Sequence, residues 1–308
     1  MRTFRTPDDR FDRLPGFGWE PQYAEVPDGD GGSLRMAWVA DGPVDGPAVL
    51  LLHGEPSWSF LYRSMIPVLA AAGLRATAID LVGFGRSDKP ADPVDHSFAR
   101  HVEWVRALAF DVLDLHEVTL FGQDWGGLIG LRVVAENTGR FARVVAANTG
   151  LPTGDQKLGE AFLAWRKFSQ EAPEFPIGKI VSGGCSTKPL DQAVIDAYDA
   201  PFPDDSYKAG ARQFPVLVPA SPDDPAAEAN RAAWETFSRW EKPFLTAFSD
   251  DDPITRGADR PMRERIPGAR GVEHVTIHDA GHFLQEDKAV ELAEAVVRFA
   301  LATGARTA

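Results

Sequence analysis

The stretch 118–134 limits the possible folds more than any other part of the chain. Its first residues, Val118-Thr119-Leu120-Phe121, are short, branched and aromatic, which predicts a buried strand. Leu128, Leu131, Val133 and Val134 then begin a helical pattern. Between them lies Gly122-Gln123-Asp124-Trp125-Gly126-Gly127, in which the glycines let the backbone turn tightly and the helix press against a neighbouring strand. The apex of that strand-turn-helix unit is a carboxylate, Asp124. Two jobs suit it: capping the helix, which Asp does commonly, or working as a reactive group.

The rest of the chain narrows the choice. At 308 residues it suits an alpha/beta core with an insertion, and a chain of this length can bury roughly 75% of its extended surface. A formal net charge of -13 argues against nucleic-acid or anionic-membrane partners, because neither polyanion gains from an acidic surface. The single cysteine, Cys185, excludes an intramolecular disulfide, and no Cys/His spacing suits zinc, so neither metal nor other cofactor is expected. Charges and prolines interrupt residues 1–19, and no later stretch approaches 18 uninterrupted apolar residues. A cytoplasmic monomer is the expectation.

In chain order, 23–26 and 33–39 flank the turn Pro27-Asp28-Gly29-Asp30-Gly31-Gly32 and predict an antiparallel hairpin at a sheet edge. The run Ala48-Val49-Leu50-Leu51-Leu52 is continuous hydrocarbon, as central parallel strands are, and leads into His53-Gly54-Glu55-Pro56. An amphipathic segment at 60–72, a strand at 76–79, a helix at 98–114, the unit already described and a strand at 143–147 continue the alternation. Such beta-alpha alternation implies an α/β fold with a doubly wound, mostly parallel sheet. From about Asn148 to Lys242 helical patterns and proline clusters replace it, which reads as an inserted helical cap. The last cap helix places Ala226, Ala229, Ala233, Phe237 and Trp240 at helical steps, a core-facing stripe. Strands at 244–248 and 275–277 and a helix with Ala289, Leu292, Val296 and Phe299 on one face complete the chain. The expected division is 1–148 with 243–308 as core domain and 149–242 as cap domain.

Ligands in such folds sit at the carboxyl ends of the strands. Three strand-end loops carry chemistry: the turn with Asp124, the run Ser249-Asp250-Asp251-Asp252-Pro253, and His278-Asp279-Ala280-Gly281-His282. Nucleophile, acid, histidine is the chain order of alpha/beta-hydrolase triads, with Asp124 where those enzymes commonly place serine. A lone histidine or an aspartate run is usually an ordinary surface feature. Their appearance at the ends of successive strands, in order, favours catalysis.

Read together, His53-Gly54-Glu55-Pro56-Ser57-Trp58 and Gly122-Gln123-Asp124-Trp125-Gly126-Gly127 resemble the haloalkane dehalogenases of the alpha/beta-hydrolase fold. The resemblance extends to Asp80-Leu81-Val82-Gly83-Phe84-Gly85-Arg86-Ser87-Asp88, Phe162-Leu163-Ala164-Trp165, Ala200-Pro201-Phe202-Pro203 and Gly281-His282-Phe283-Leu284-Gln285-Glu286-Asp287. It implies hydrolysis of a small halogenated alkane by water, releasing halide. Asp124 would be the nucleophile and His282 the base, with the acid immediately before Pro253, which is Asp252; Asp250 and Asp251 remain competitors. The chemistry is coherent, since a saturated carbon has no carbonyl to attack and a carboxylate is a suitable oxygen nucleophile for displacement. Main-chain N–H groups of Glu55 and Trp125 are the expected oxyanion donors. Trp125, by adjacency, and Trp165, from the resemblance, are the expected halide-holding indoles, and Phe162, Phe168 and Phe214 the expected pocket walls.

Two other readings stay open on the sequence. An epoxide hydrolase uses the same kind of triad with a pair of cap tyrosines as acids, and Tyr198 and Tyr207 are available. A noncatalytic receptor on the same fold is the other. Arginine is absent from the position after Asp124, where a fluoroacetate dehalogenase would grip a carboxylate, and an esterase would have serine at 124.

Overall fold

The apolar runs pair side by side in a computed structural model of the chain, which describes residues 1–304. Strands β1 (Thr3–Phe4) and β6 (Lys89–Pro90) form a small antiparallel pair that ties the N-terminus to the core. The others are β2 (Gln22–Pro27), β3 (Ser33–Asp41), β4 (Ala48–Leu52), β5 (Arg75–Asp80), β7 (Val118–Gln123), β8 (Phe141–Ala147), β9 (Phe244–Ser249) and β10 (Val275–Ile277). They make an eight-stranded sheet in the order β10-β9-β8-β7-β4-β5-β3-β2. Only the hairpin β2–β3 and the pairing of β3 with β5 are antiparallel. β4, β7 and β8 are almost fully buried, as expected for central strands covered on both faces.

The helices that cover the sheet core are α1 (Ile66–Ala71), α2 (Phe98–Arg106), α3 (Trp125–Glu136) and α10 (Leu284–Gly304), with α9 (Asp259–Arg265) after β9. From β4 the chain steps through α1 to β5 on one side, and from β7 through α3 to β8 on the other. Right-handed crossovers in opposite directions put α1 and α3 on opposite faces. α1 packs on α10; α2 packs on α3. The strand order therefore reverses between β4 and β7, and a crevice opens at their carboxyl ends.

Two helical expectations are revised. The segment 60–72 is a fully buried 3-10 turn, Ser59–Tyr62, followed by α1, which starts afresh with Pro67 in its first turn. The segment 98–114 is α2 followed by a wider π turn, Ala107–Val112.

Between β8 and β9 the chain forms α4 (Glu160–Glu171), α5 (Ile177–Gly183), α6 (Gln192–Asp199), α7 (Ala209–Leu217) and α8 (Ala227–Phe237). α4 packs with α7 and α5 with α6, while α8 returns to lie on α3, where the Arg132 guanidinium donates to Asn230 Oδ1 at 3.0 Å.

Candidate active site

β4 and β7 are neighbours with Leu52 opposite Gly122, so the loops that follow them leave the sheet side by side. Their approach is closer than any side chain allows: a Cβ on Gly126 would lie 1.9 Å from the Leu52 carbonyl oxygen, and one on Gly54 would lie 2.5 Å from Asp124 Cβ. Asp124 itself sits at φ 50, in the left-handed region that a non-glycine residue rarely occupies. Its carboxylate makes no capping hydrogen bond to α3. The capping role therefore fails, and the side chain is held out at the crevice instead.

Each oxygen of Asp124 has a distinct neighbour. Oδ1 accepts the Glu55 main-chain N–H at 2.9 Å, and Oδ2 lies 3.5 Å from His282 Nε2. Trp125 opens α3, where a main-chain N–H has no acceptor within its own helix. The far nitrogen of His282, Nδ1, pairs with Asp252 Oδ2 at 3.0 Å. Asp252 is 1% exposed and also accepts the Ile254 N–H at 2.9 Å and the Thr255 hydroxyl. The other two aspartates are engaged elsewhere: Asp250 with the exposed His278 at 2.7 Å, Asp251 with the Ser186 hydroxyl at 2.7 Å.

Charge follows this geometry. Burial opposes protonation of His282, but Asp252 and Asp124 override it and push its pKa up to about 10. Burial also works against ionisation of Asp252, yet His282, Thr255 and the Ile254 N–H hold its carboxyl below the usual range. Glu55 behaves oppositely. Burial and then the charge of Asp124 push its carboxyl well above the usual range, only partly offset by His282 and the Trp165 indole. Its Oε1 has no hydrogen-bond partner in the cavity wall, so no bond there offsets the cost of charging it. His53, just before it, is structural: its Nε2 accepts the Leu81 N–H at 3.0 Å, which leaves Nδ1 to donate to the Gly54 carbonyl at 2.8 Å.

Asp124, Glu55 and His282 open into a cavity of about 1220 Å³. Trp125, Trp165, Phe162 and Phe168 line it. Phe214 does not. It is fully buried on α7, behind the Trp125 ring at 4.6 Å between centroids, and supports that indole with Phe98 at 5.1 Å. Trp165 and Phe168 project from α4, and their rings stack with each other and lie near Phe175. Leu128, Ile180, Val218 and Trp234 complete the apolar wall and were not anticipated.

The tyrosines that would serve an epoxide hydrolase are elsewhere. Tyr198 is fully buried against Phe60, and its hydroxyl donates to Glu286, which also forms a two-pronged pair with Arg63, one contact being 2.7 Å. Tyr207 stacks on Phe4. Neither lines the cavity.

Polar residues behind the triad also escaped the sequence reading. Asn148, buried and at φ 36, donates to Ser249 Oγ at 2.7 Å and to the carbonyls of Gly281 and His282 at 3.0 and 3.1 Å, and accepts the Ser249 N–H at 2.9 Å. Gln123 donates to the His282 carbonyl at 3.1 Å. These bonds fix the histidine loop to the ends of β7, β8 and β9. Among the described residues no cluster of His, Cys, Asp and Glu could hold a metal ion, and no helix is long and apolar enough to cross a membrane.

Residues 47–289 match the alpha/beta hydrolase fold family. The chain is 58% identical over 299 residues to a haloalkane dehalogenase of Psychrobacter cryohalolentis, covering 97% of this chain and 98% of that one. It is 53% identical over 297 residues to one of Mycobacterium marinum, covering 96% and 99%. Among solved structures it is similar to the tetrameric haloalkane dehalogenase DpaA of Paraglaciecola agarilytica NO2, with a TM-score of 0.88, 37% identity, and 96% and 97% of the two chains covered.

Proposed function

The chain belongs to the haloalkane dehalogenases of the alpha/beta-hydrolase fold, and from that premise we propose how its residues divide the reaction. One Asp124 oxygen attacks the halogen-bearing carbon. The carbon–halogen bond breaks, the halide leaves with the electron pair, and an alkyl ester forms on Asp124. The indole N–H groups of Trp125 and Trp165 receive the developing halide charge. As donors on large apolar rings, they stabilise an anion while keeping water away.

Esterification removes the Asp124 charge, one of the two that keep His282 protonated, so the ring then gives up its proton to solvent and can serve as a base. His282 takes a proton from water, and the hydroxide oxygen adds to the ester carbonyl carbon. The oxyanion that forms is met by the N–H groups of Glu55 and Trp125. When the ester bond breaks, the alkoxide takes the proton from His282, the alcohol leaves, and Asp124 passes its remaining proton to His282, which restores the starting charges. Asp252 holds the ring's tautomer and stabilises its charged form. Phe162 and Phe168 are the apolar walls against which the alkyl chain packs, and the inserted segment 149–242 is the cap.

The arrangement that carries this reading is Asp124 between the Glu55 N–H at 2.9 Å and the His282 ring at 3.5 Å, with Asp252 on the far nitrogen. Every group belongs to one chain, so a monomer is chemically sufficient, and the lone, half-buried Cys185 suits a reducing cytoplasm. Incubation with 1-bromobutane or 1,2-dibromoethane tests the roles. Bromide release should be abolished in Asp124→Asn, and His282→Gln should form one alkyl ester, visible as added protein mass, and stop there. Turnover of styrene oxide without bromide release would instead restore the epoxide reading.

A further inference from the structure

The histidine loop is fastened to the cap by one side chain. Asp287, in the first turn of α10, places Oδ2 on the N–H groups of Gly281, at 2.8 Å, and Ser186, at 2.9 Å. Its Oδ1 accepts the Thr187 N–H at 3.0 Å and the Thr187 hydroxyl at 2.6 Å. Gly281 immediately precedes His282, whereas Ser186 and Thr187 belong to the cap turn that follows α5. Three further contacts close the joint. The Phe283 N–H donates to the Gly184 carbonyl at 3.3 Å, the Ser186 hydroxyl donates to Asp251 at 2.7 Å, and the turn lies so close that a Cβ on Gly281 would be 2.4 Å from the Gly184 oxygen. Gly184, Ser186, His282 and Phe283 all line the cavity.

We propose that Asp287 is a positioning residue that clasps the cap turn 184–187 to the histidine loop and thereby sets the His282 ring for hydrolysis of the ester. Three of its four bonds accept main-chain N–H groups and the fourth accepts the Thr187 hydroxyl, and Asp287 itself does not line the cavity. On the catalytic side, His282 is anchored at its carbonyl by Asn148 and Gln123 and at its ring by Asp252. Asp287 controls the approach to it, through the N–H of the preceding residue. A shift of the ring by a fraction of an ångström is enough to matter, since misplacement of about 1 Å costs roughly a hundredfold.

The inference rests on the reading of His282 as the base, and it makes the two half-reactions respond differently. Asp287→Asn presents an amide N–H₂ to one pair of donors in place of an oxygen, so one side of the clasp opens. With 1-bromobutane, the pre-steady-state burst of bromide should keep its rate within about threefold, while steady-state kcat falls roughly tenfold and alkyl-enzyme accumulates in the mass spectrum. Asp287→Glu, which keeps both acceptors, should recover part of the kcat. Thr187→Val removes only the hydroxyl and serves if the Asn variant does not fold; it should give the same split, roughly two- to threefold. Variants that melt lower but keep wild-type kcat and show no trapped ester would overturn the proposal, as would equal losses in burst and steady-state rates. The His282→Gln control separates the two levels. If it traps no ester, the assignment of the base fails; if it traps ester and the Asp287 and Thr187 variants do not, only the clasp fails.

Discussion

On the sheet side of the cavity every reacting group is fixed by main-chain or buried carboxylate hydrogen bonds, whereas on the cap side aromatic rings lean on one another at a half-exposed surface. Asp124, Asp252 and His282 sit at the ends of β7, β9 and β10, and each is tied to the loop of at least one other strand. Trp165 and Phe168 share one exposed helix, α4, and Phe168 is 42% exposed. A hydrogen-bonded wall tolerates little displacement, because each lost partner leaves a buried polar group unsatisfied. A stacked wall gives way more cheaply, because ring contacts are individually weak and adjustable in angle. On the roles proposed above, bond making belongs to the rigid wall, and the wall carried by α4 would receive the leaving halide and the alkyl chain.

The largest effect that can break this contrast comes from the rigid wall. Asp252→Asn keeps the shape of the side chain but removes the charge, and if its oxygen stays towards Thr255 and His282 its N–H₂ must face the Ile254 N–H, donor against donor. Ester hydrolysis should slow on the order of a thousandfold, as expected when a histidine base loses the carboxylate that sets its tautomer. The checking measurement is rapid-quench kinetics with 1-bromobutane, in which the bromide burst persists and the following rate collapses. A uniform small loss in both phases would mean that the sheet wall is no more exacting than the cap.

On the cap wall, Trp165→Phe retains a ring to stack on Phe168 and Phe175 but removes the N–H. One hydrogen bond to a charged partner is worth about 1.5–3 kcal/mol, so bromide affinity and kcat/KM should fall by roughly 10- to 150-fold. Halide titration by tryptophan fluorescence measures the first and steady-state assays the second. Here the loss should fall on the first half-reaction, opposite to Asp252→Asn. If the hydrolysis step suffers instead, the assignment of the halide to Trp165 is wrong.

The contrast also explains what the sequence could disclose. Strand-end chemistry is local: Asp124 follows an apolar run and precedes a helix, and the glycines around it mark a close backbone approach. The alternation of runs then fixes sheet order closely enough to bring His282 and an aspartate to the same edge. Which of three adjacent aspartates turns inward depends on the path of a loop, and only coordinates show that Asp252 is buried while Asp250 faces solvent. Phe214 was misplaced for a similar reason. A phenylalanine on an amphipathic helix faces whichever side packing selects, and here it backs Trp125 rather than touching the cavity. Asn148, Ser249 and Asp287 look like turn residues in sequence, because their partners lie from six to more than a hundred positions away.

The smallest expected effect lies at the seam between the two walls. His96 and His101 are buried behind Phe214, whose ring is 4.4 Å from that of His101. His96 Nε2 faces the Pro90 carbonyl at 3.3 Å and so carries the proton, which leaves Nδ1 to accept from His101 Nε2 at 3.1 Å. Burial, followed by the charge of Arg100, lowers the His96 pKa to about 4. Burial, followed by His96, lowers that of His101 well below its ordinary value. Both rings are therefore neutral when folded and protonate more readily when unfolded. As pH falls below about 6.5, the unfolded chain takes up protons that the folded one refuses, so stability is complete above that pH and is lost on the way down towards 4. His101→Gln keeps a donor towards His96 and removes one of the two titrations. It should leave kcat for 1-bromobutane at neutral pH within about twofold and move the midpoint of acid unfolding down by roughly half a pH unit. Circular dichroism followed along a pH titration reads the shift. An upward shift would mean that the lost His–His contact outweighs the removed proton uptake, and that the seam is held by this hydrogen bond rather than merely loosened by acid.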